Sequence, residues 1–519
     1  MSPESVDPRA RTKRRQPAAP SAPSTPSRLD LLNAGFCLDA AGQPVGILPQ
    51  ILDPFARGAA PAVMIRIALD GIIDAPVLNQ LFQETAQAQY TREWALVHFV
   101  QVMLDVACGF RPSPRAAWLR RQLDTIASLS AFYRKLNRME LAITAAIVRH
   151  TAQRARDLIV AAGAAMPELI PGYANRILDG NALSGTEHRL EPLRDLGAAG
   201  LPGKLLAIYE PASGLILEVV LEENGHAQER ALLDQLVLEP GQLWIMDRNF
   251  CVRTFWFRIQ RSGAFFLVRR HAMNLPFQEL EPLKAKGRCA TGLVLEQAIA
   301  VEDTEFPGVV HRLRRIVLQL DQPTREGDTE IVLVTNLPEE VSARACCDAY
   351  RDRWQIERHF QTLTDLLHCE VPSLGYPRAA LFGFSMSVVS GNALAVLKGN
   401  LRAVHGEEMA REVSNFELVD QAAEVYPGMM IAVPPPQWAW VRQSPAAVVA
   451  GVLNHLAAHV PVERMLRKRR GPKKARTQPK QSGAVDRHVA TKKLLDRARG
   501  VGPPLSEEEP LMPSRVRSR

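Results

Sequence analysis

Three acidic residues are placed where they could act together. Asp179 follows Arg176-Ile177-Leu178 and precedes Gly180, so its carboxylate is expected where a strand gives way to a loop. Asp247 repeats the arrangement. It follows Leu243-Trp244-Ile245-Met246, a continuous apolar run of the kind that forms a central strand buried on both faces. Read alone, either aspartate is an ordinary strand-end turn former. Side by side, two ionised carboxylates repel and stay charged only with a cation between them. Mg2+ (or Mn2+) suits such a pair, because it takes oxygen ligands and keeps several waters, and no cysteine or paired histidine lies nearby in sequence to favour a softer metal.

A third acid, Glu357, sits in a helix expected from Ser342 to His368, with Tyr350, Arg353 and Glu357 at i, i+3 and i+7. At about 100° per residue these three share one stripe. The plain alternative is a solvated face with an i,i+4 pair between Arg353 and Glu357. An arginine fork and a phenol beside an acid also suit phosphate oxygens. Other candidates are weaker. His455 and His459 have a spacing that can hold zinc but lack the adjacent glutamate of a metalloprotease, Met246 reads as core, and Glu187 and His188 read as loop contacts.

The elements that must carry these residues follow from periodicity. Asn175–Asp179, Lys204–Tyr209, Leu215–Leu221, Leu243–Asp247 and Ala264–Arg269 read as strands, with helices at Ala227–Leu238 and Cys251–Arg261. The order is strand, strand, strand, helix, strand, helix, strand. It is the ribonuclease H-like order, three antiparallel strands extended by parallel ones through crossover helices, and it would make the Asp179 and Asp247 strands neighbours. The expected fold class is therefore α/β, a ribonuclease H-like catalytic core in two parts, 170–270 and 341–400. Between them, Leu293–Ala300, Leu313–Leu320 and Glu330–Thr335 define a β-rich insertion over 271–340.

Around this core, 29–169 reads as a helical N-terminal domain built from Pro61–Ile73, Ala75–Gln89, Thr91–Cys108 and Met139–Ala162, with Asp74 and Thr91 as N-caps. Residues 401–463 read as a helical C-terminal segment broken at Pro434–Pro436, with Pro445–His459 as its last amphipathic stretch. Residues 1–28, with six prolines and six basic residues, read as a disordered basic arm, and 464–519 as a basic tail with twelve Lys or Arg against one acid between 464 and 493.

Bulk properties agree. The chain of 519 residues is 46% hydrophobic and 23% charged, enough to build several cores, and its net charge of +8 favours a polyanionic partner. Seven cysteines without a C-x-x-C pair exclude a zinc ribbon and a disulfide framework and point to reduced thiols in the cytoplasm. The N-terminus has no apolar h-region of a secretory signal. The apolar stretch Ala380–Leu397 has the length of a membrane span, but Ser385, Ser387, Ser390, Gly391 and Asn392 dilute it, so a buried core helix is expected and no membrane.

Tyr350-x2-Arg353-x3-Glu357 resembles the Tyr-Arg-Glu-Lys signature of the insertion-sequence DDE transposases, with Trp354-Gln355-Ile356-Glu357 inside it; Asp179-Gly180-Asn181 and Asp247-Arg248-Asn249-Phe250 resemble the two Asp motifs. The likeness covers about 170–400. The signature's final Lys falls at Thr364, and the insertion contains no Trp or Tyr. The resemblance implies catalysis and metal binding by Asp179, Asp247 and Glu357 with two Mg2+ (or Mn2+) ions, and DNA contacts from Tyr350, Arg353 and Arg358. It implies that double-stranded element ends and target DNA are the partners, that 29–169 and the basic ends bind DNA, that two paired ends assemble a homodimer, and that the protein acts in the cytoplasm at the nucleoid. Its rivals are a ribonuclease H-like nuclease that only hydrolyses and an inactive, domesticated DNA-binding relative.

Overall fold

The computed structural model describes residues 36–38, 44–47, 52–88, 95–121, 128–183, 190–194, 199–271, 275–324, 327–468, 487–501 and 512–513. The arm 1–28, Thr91, Glu187, His188 and most of 464–519 lie outside the described residues.

A short β1–β2 hairpin (Phe36–Leu38, Pro44–Ile47) precedes the helices α1 (Asp53–Gly58), α2 (Ala60–Ile72), α3 (Ala75–Thr85), α4 (Leu96–Ala107), α5 (Pro114–Arg121), α6 (Leu129–Leu136) and α7 (Leu141–Ala161). Asp74 stands at the start of α3, but its side chain does not cap it. Then come β3 (Ala174–Ala182), β4 (Ala199–Leu201), β5 (Lys204–Glu210), β6 (Leu215–Glu222), β7 (Gln242–Met246), α8 (Arg253–Arg261) and β8 (Phe265–Arg269). β3 pairs antiparallel with β5 and β5 with β6, while β3 pairs parallel with β7 and β7 with β8. Every residue of β7 is buried, as its unbroken apolar run requires.

Parallel neighbours need crossovers, and α8 supplies the one from β7 to β8. The crossover from β6 to β7 differs from the helix expected over 227–238. It is a 3-10 segment, Glu229–Gln235, whose end is taken up by Arg258 of α8, which donates to the carbonyls of Leu233 and Leu236 at 2.6 and 3.3 Å. With those acceptors satisfied from outside, no further helical turn is needed to pair them.

The 271–340 segment is β-rich, as expected, but does not stand apart. β9 (Gln278–Glu279), β10 (Lys284–Cys289), β11 (Gly292–Glu302), β12 (Val310–Leu320) and β13 (Glu330–Thr335) form antiparallel ladders, and β13 pairs antiparallel with β8. The result is one ten-stranded sheet, ordered β10-β11-β12-β13-β8-β7-β3-β5-β6 with β9 on β11.

Alternating side chains feed two cores. Ile177, Leu205, Ile245 and Leu267 face the helices, while Leu178, Leu206, Met246 and Val268 face Trp256 and Phe257 of α8 and Leu232 and Leu233 of the 3-10 segment. On the first face lie α9 (Ala343–Asp352), α10 (Trp354–Asp365) and the long α11 (Pro377–His405), followed by α12 (Glu407–Glu412), α13 (Asn415–Ala432), α14 (Ala439–Gln443) and α15 (Ala446–Ala457). The N-terminal helices do not form a core of their own. α2, α4 and α7 pack on α11 together with α15, and one apolar cluster runs through all of them.

α11 contains the stretch flagged as membrane-length. Its most apolar window has a mean hydropathy of 1.7 and is 94% buried in the protein, so the interior, rather than lipid, receives it. Three of its polar residues find partners on the backbone. Ser387 and Ser390 donate to carbonyls one turn back, and Asn392 bonds both backbone groups of Ile216 on the edge strand β6, accepting from its N–H at 3.0 Å and donating to its carbonyl at 2.9 Å. Part of the tail returns to the sheet region. β14 (Arg487–Ala490) adds parallel to β4, β15 (Met512–Pro513) pairs with β14, and α16 (Thr491–Ala498) packs Leu494 with Val489 and Leu193.

Asn392 is fully buried, so its loss strands a buried donor and acceptor on β6. Asn392→Leu is expected to destabilise the protein by about 2–4 kcal/mol, read as a lower urea midpoint with an unchanged slope. An unchanged midpoint would show that the bonds contribute nothing.

Candidate active site

The pairing of β3 with β7 ends at Leu178 opposite Met246. Asp179 and Asp247 are therefore the next residues on adjacent strands, at the same height, pointing to the face of Ile177 and Ile245. Asp179 is not at the end of its strand, as the sequence implies. β3 continues to Ala182 against β5 alone, so the carboxylate sits where the sheet loses one of its two ladders.

The third acid arrives from above. The expected continuous helix is two, α9 and α10, because the chain tightens at Arg353 into turns with three-residue spacing: Arg353 N–H donates to the Tyr350 carbonyl at 3.1 Å and Ile356 N–H to the Arg353 carbonyl at 3.2 Å. Side chains three apart eclipse in such a turn. The Arg353 guanidinium accordingly lies 5.7 Å from the Tyr350 ring centroid, and it is equally far from the ring of its chain neighbour Trp354.

Tyr350, Arg353 and Glu357 do share a stripe, but it is not a solvated face. Tyr350 and Arg353 are only 6% and 5% exposed. Tyr350 Oη donates to Asp247 Oδ1 at 3.3 Å, and Arg353 donates to Glu357 Oε1 at 2.7 Å and lies 3.6 Å from Asp179 Oδ2. The polar ends of both residues are thus turned onto the acids. Arg358 is exposed and lines a different cleft, with Tyr209, His359, Asn415 and Arg467. Thr364, at the signature's Lys position, spends its hydroxyl on the Phe360 carbonyl at 3.0 Å.

Burial pushes the Asp179 carboxyl up to about 7, and the charges of Glu357 and Asp247 add to the rise, against the lowering effect of Arg353 and of the Gly180 N–H, which donates to it at 2.9 Å. Burial opposes the charge on Arg353, but Tyr350, Asp179, Asp247 and Glu357 outweigh it and hold the guanidinium firmly protonated. Arg353 is thus the counter-cation of the cluster. Among the described residues no three His, Cys, Asp or Glu side chains close into a ready metal cage, because this guanidinium stands between the carboxylates. The donor set is all oxygen and fits a hard divalent cation.

Sequence reasoning missed Glu229. Its carboxylate lies against Gly180, where an added Cβ would come within 2.4 Å of it, and it accepts a hydrogen bond from Asn249 two residues after Asp247. Arg230 donates to the Asn249 carbonyl at 2.8 Å. The 3-10 segment therefore ties down the chain after both aspartates. Gly180 and Asn249 are legible in the two Asp motifs, but their common partner is a product of the fold. His455 and His459 stack edge to face at 4.9 Å, with no third metal donor among the described residues.

The family profile described as Transposase DDE domain matches residues 176–379, which span all three acids. Domains of this kind generally use divalent metal ions. Among curated proteins, "Putative transposase InsL for insertion sequence element IS186A" of Escherichia coli (strain K12) is 24% identical over 375 residues, covering 64% of this chain and 86% of its own; the IS186B and IS186C copies match equally. The transposase of the Escherichia coli element IS421 is 24% identical over 323 residues, covering 55% of this chain and 74% of its own. By these matches the chain is similar to insertion-sequence transposases, and the DDE profile covers its central part. A cryo-EM structure of the piggyBac transposase synaptic complex with hairpin DNA aligns with 75% of this chain and 85% of that one at a TM-score of 0.35 and 10% identity, too loosely to bear on the site.

Two outcomes are expected. In the metal-free protein, the raised pKa of Asp179 means that the folded state holds a proton the unfolded chain releases near its usual 3.8. That stabilisation is complete below about pH 4 and lost as pH rises through about 7. The thermal midpoint should thus fall between pH 5 and pH 8, recover at pH 8 with Mg2+, and be flatter in Asp179→Asn; an equal slope in that variant would exonerate Asp179. Separately, Gly180→Ala should cost about 1–3 kcal/mol in the wild-type background through overpacking against Glu229, and much less in Glu229→Ala. Equal costs in both backgrounds would refute the contact.

Proposed function

We propose that this protein binds the ends of a mobile DNA element, cleaves phosphodiester bonds to free 3′-hydroxyls, and joins those hydroxyls to target DNA, using Asp179, Asp247 and Glu357. The observation that carries the reading is the convergence of the three carboxylates around Arg353, two from adjacent central strands and one from α10, within the matched domain. The strand order β6-β5-β3-β7-β8, with its antiparallel and parallel halves, supports a ribonuclease H-like core.

Asp179, Asp247 and Glu357 would hold two Mg2+ (or Mn2+) ions through their oxygens. Ions so bound supply Lewis acidity at phosphate oxygens and lower the pKa of a water. The chain's own part begins with Arg353. Its guanidinium, held between Glu357 and Asp179, keeps positive charge beside the acids and would offer its fork to a phosphate oxygen of the DNA strand. Tyr350, held on Asp247, orients that carboxylate and keeps a hydroxyl at the phosphate. In the first reaction a water oxygen bonds to phosphorus and the bond to the 3′ oxygen breaks, leaving a 3′-hydroxyl and a 5′-phosphate. In the second, that 3′-hydroxyl bonds to a target phosphorus and displaces the target's own 3′ oxygen. Arg358 would contact DNA from its separate cleft. Pairing of two ends calls for a homodimer acting in the cytoplasm at the nucleoid, with 29–169 and the basic ends contributing to DNA binding.

The test offers linear DNA carrying the element's terminal repeats, Mg2+ or Mn2+, and a target plasmid. Asp179→Asn, Asp247→Asn and Glu357→Gln should each lower cleavage on the order of a hundredfold or more while still binding DNA. Cleavage unchanged in these variants would sink the assignment. Cleavage without joining would make the protein a nuclease, and binding without cleavage by the wild type would make it an inactive relative.

A further inference from the structure

The folded part of the C-terminal tail builds a cleft that the three acids do not use. α16 approaches the start of α11 and the end of α6, and between them lies a cavity of about 400 Å3. Four cations line it, Arg138, Arg378, Lys492 and Arg499, against two acids, Glu223 and Asp496. Glu223 is already engaged, by the Arg378 guanidinium and by Lys492 Nζ at 3.9 Å. Arg138 and Arg499 are both exposed, and neither guanidinium is paired with a carboxylate among the described residues.

The position of this cleft matters more than its charge. β6 runs parallel to β3, both being antiparallel to β5, so the end of β6 is on the same edge of the sheet as Asp179 and Asp247. Val219 is level with Ala207 and Ala207 with Asp179, which puts Glu223 two strands across and four residues further along. Strand spacing and rise make that roughly 16 Å, about half a turn of duplex DNA. The segment that brings Lys492 and Arg499 is fixed there by a parallel ladder, His488–Ala490 on Ala199–Leu201, and β4 leads straight into β5.

We infer that the cleft between α6, α11 and α16 is a docking site for the phosphodiester backbone of DNA, gripping the duplex about half a turn from the phosphate held at the acids. The inference rests on the proposed function for its ligand, but not on the chemistry of the acids. Two guanidiniums without a carboxylate partner, lining a net-positive cleft beside the phosphate-handling end of the strands, suit phosphate oxygens. Their role is to set the position of the DNA, not to choose its sequence.

The experiment measures binding of the full-length protein to a duplex without added metal, as a function of salt. Each phosphate contact removed should lower the slope of log K against log salt by about 0.9. Arg138→Ala combined with Arg499→Ala should lower it by about 1.8, equally for duplexes with and without the terminal repeats, and Arg138→Lys with Arg499→Lys should restore it. Equal thermal midpoints for the two double variants exclude loss of α16. A wild-type slope in the alanine variant overturns the docking site. Absence of any salt-dependent binding by the wild-type protein overturns instead the DNA-processing reading on which it rests.

Discussion

The structure depends on gathering half-buried carboxylates beside one buried arginine. Asp179 and Asp247 are forced together by the parallel register of β3 and β7, and their mutual repulsion in a poorly solvated place is unfavourable without a cation. Arg353 is that cation here, buried against Tyr350 and Trp354 and bound to Glu357. A buried guanidinium without carboxylates would be as costly as the carboxylates without it. Each side of the cluster therefore holds the other in place, and the tightened turn between α9 and α10 puts Arg353 where both can meet.

The rest of the chain can be ordered by its distance from that cluster. The 3-10 segment secures the two strand ends through Glu229, Gly180 and Asn249. The strands of 271–340 extend the sheet from β8 and so brace the parallel strands on the side away from β5. α11 closes the helical face, and its Asn392 bonds both backbone groups of the buried Ile216 on β6, a strand with a neighbour on one side only. An arrangement of this kind makes the acids rigid without sealing them, since Asp179 and Glu357 keep part of their surface open.

Much of this was legible in the chain. The unbroken apolar run Leu243–Met246 announced a central strand, and the period-two and strand-order arguments located β3, β5, β6, β7 and β8 because burial on one or both faces leaves a pattern that does not depend on partners. The stripe Tyr350, Arg353, Glu357 was legible for the same reason, since helical periodicity is local. The serines and Asn392 correctly marked Ala380–Leu397 as a protein-interior helix. Less legible were the break at Arg353, the 3-10 form of Glu229–Gln235, the merging of the N-terminal and C-terminal helices into one core, and the return of residues 487–501 to β4. Each of these depends on a contact made across hundreds of residues or on a hydrogen-bond acceptor claimed from outside, as Arg258 claims the carbonyls of Leu233 and Leu236.

By itself, then, the sequence determined which residues are acidic at strand ends and on the helix stripe, and which strands are buried, because those properties follow from side-chain chemistry repeated at backbone periods. Only the tertiary structure decided what the site residues touch. Tyr350 and Arg353 face the acids and not the solvent, Arg358 belongs to another cleft, Glu229 joins from a segment with no motif, and the tail's cations meet Arg138 and Arg378 across the molecule. Periodicity specifies the face on which a side chain lies, whereas the identity of its partner is set by packing between elements far apart in sequence, where charge pairing and desolvation are decided.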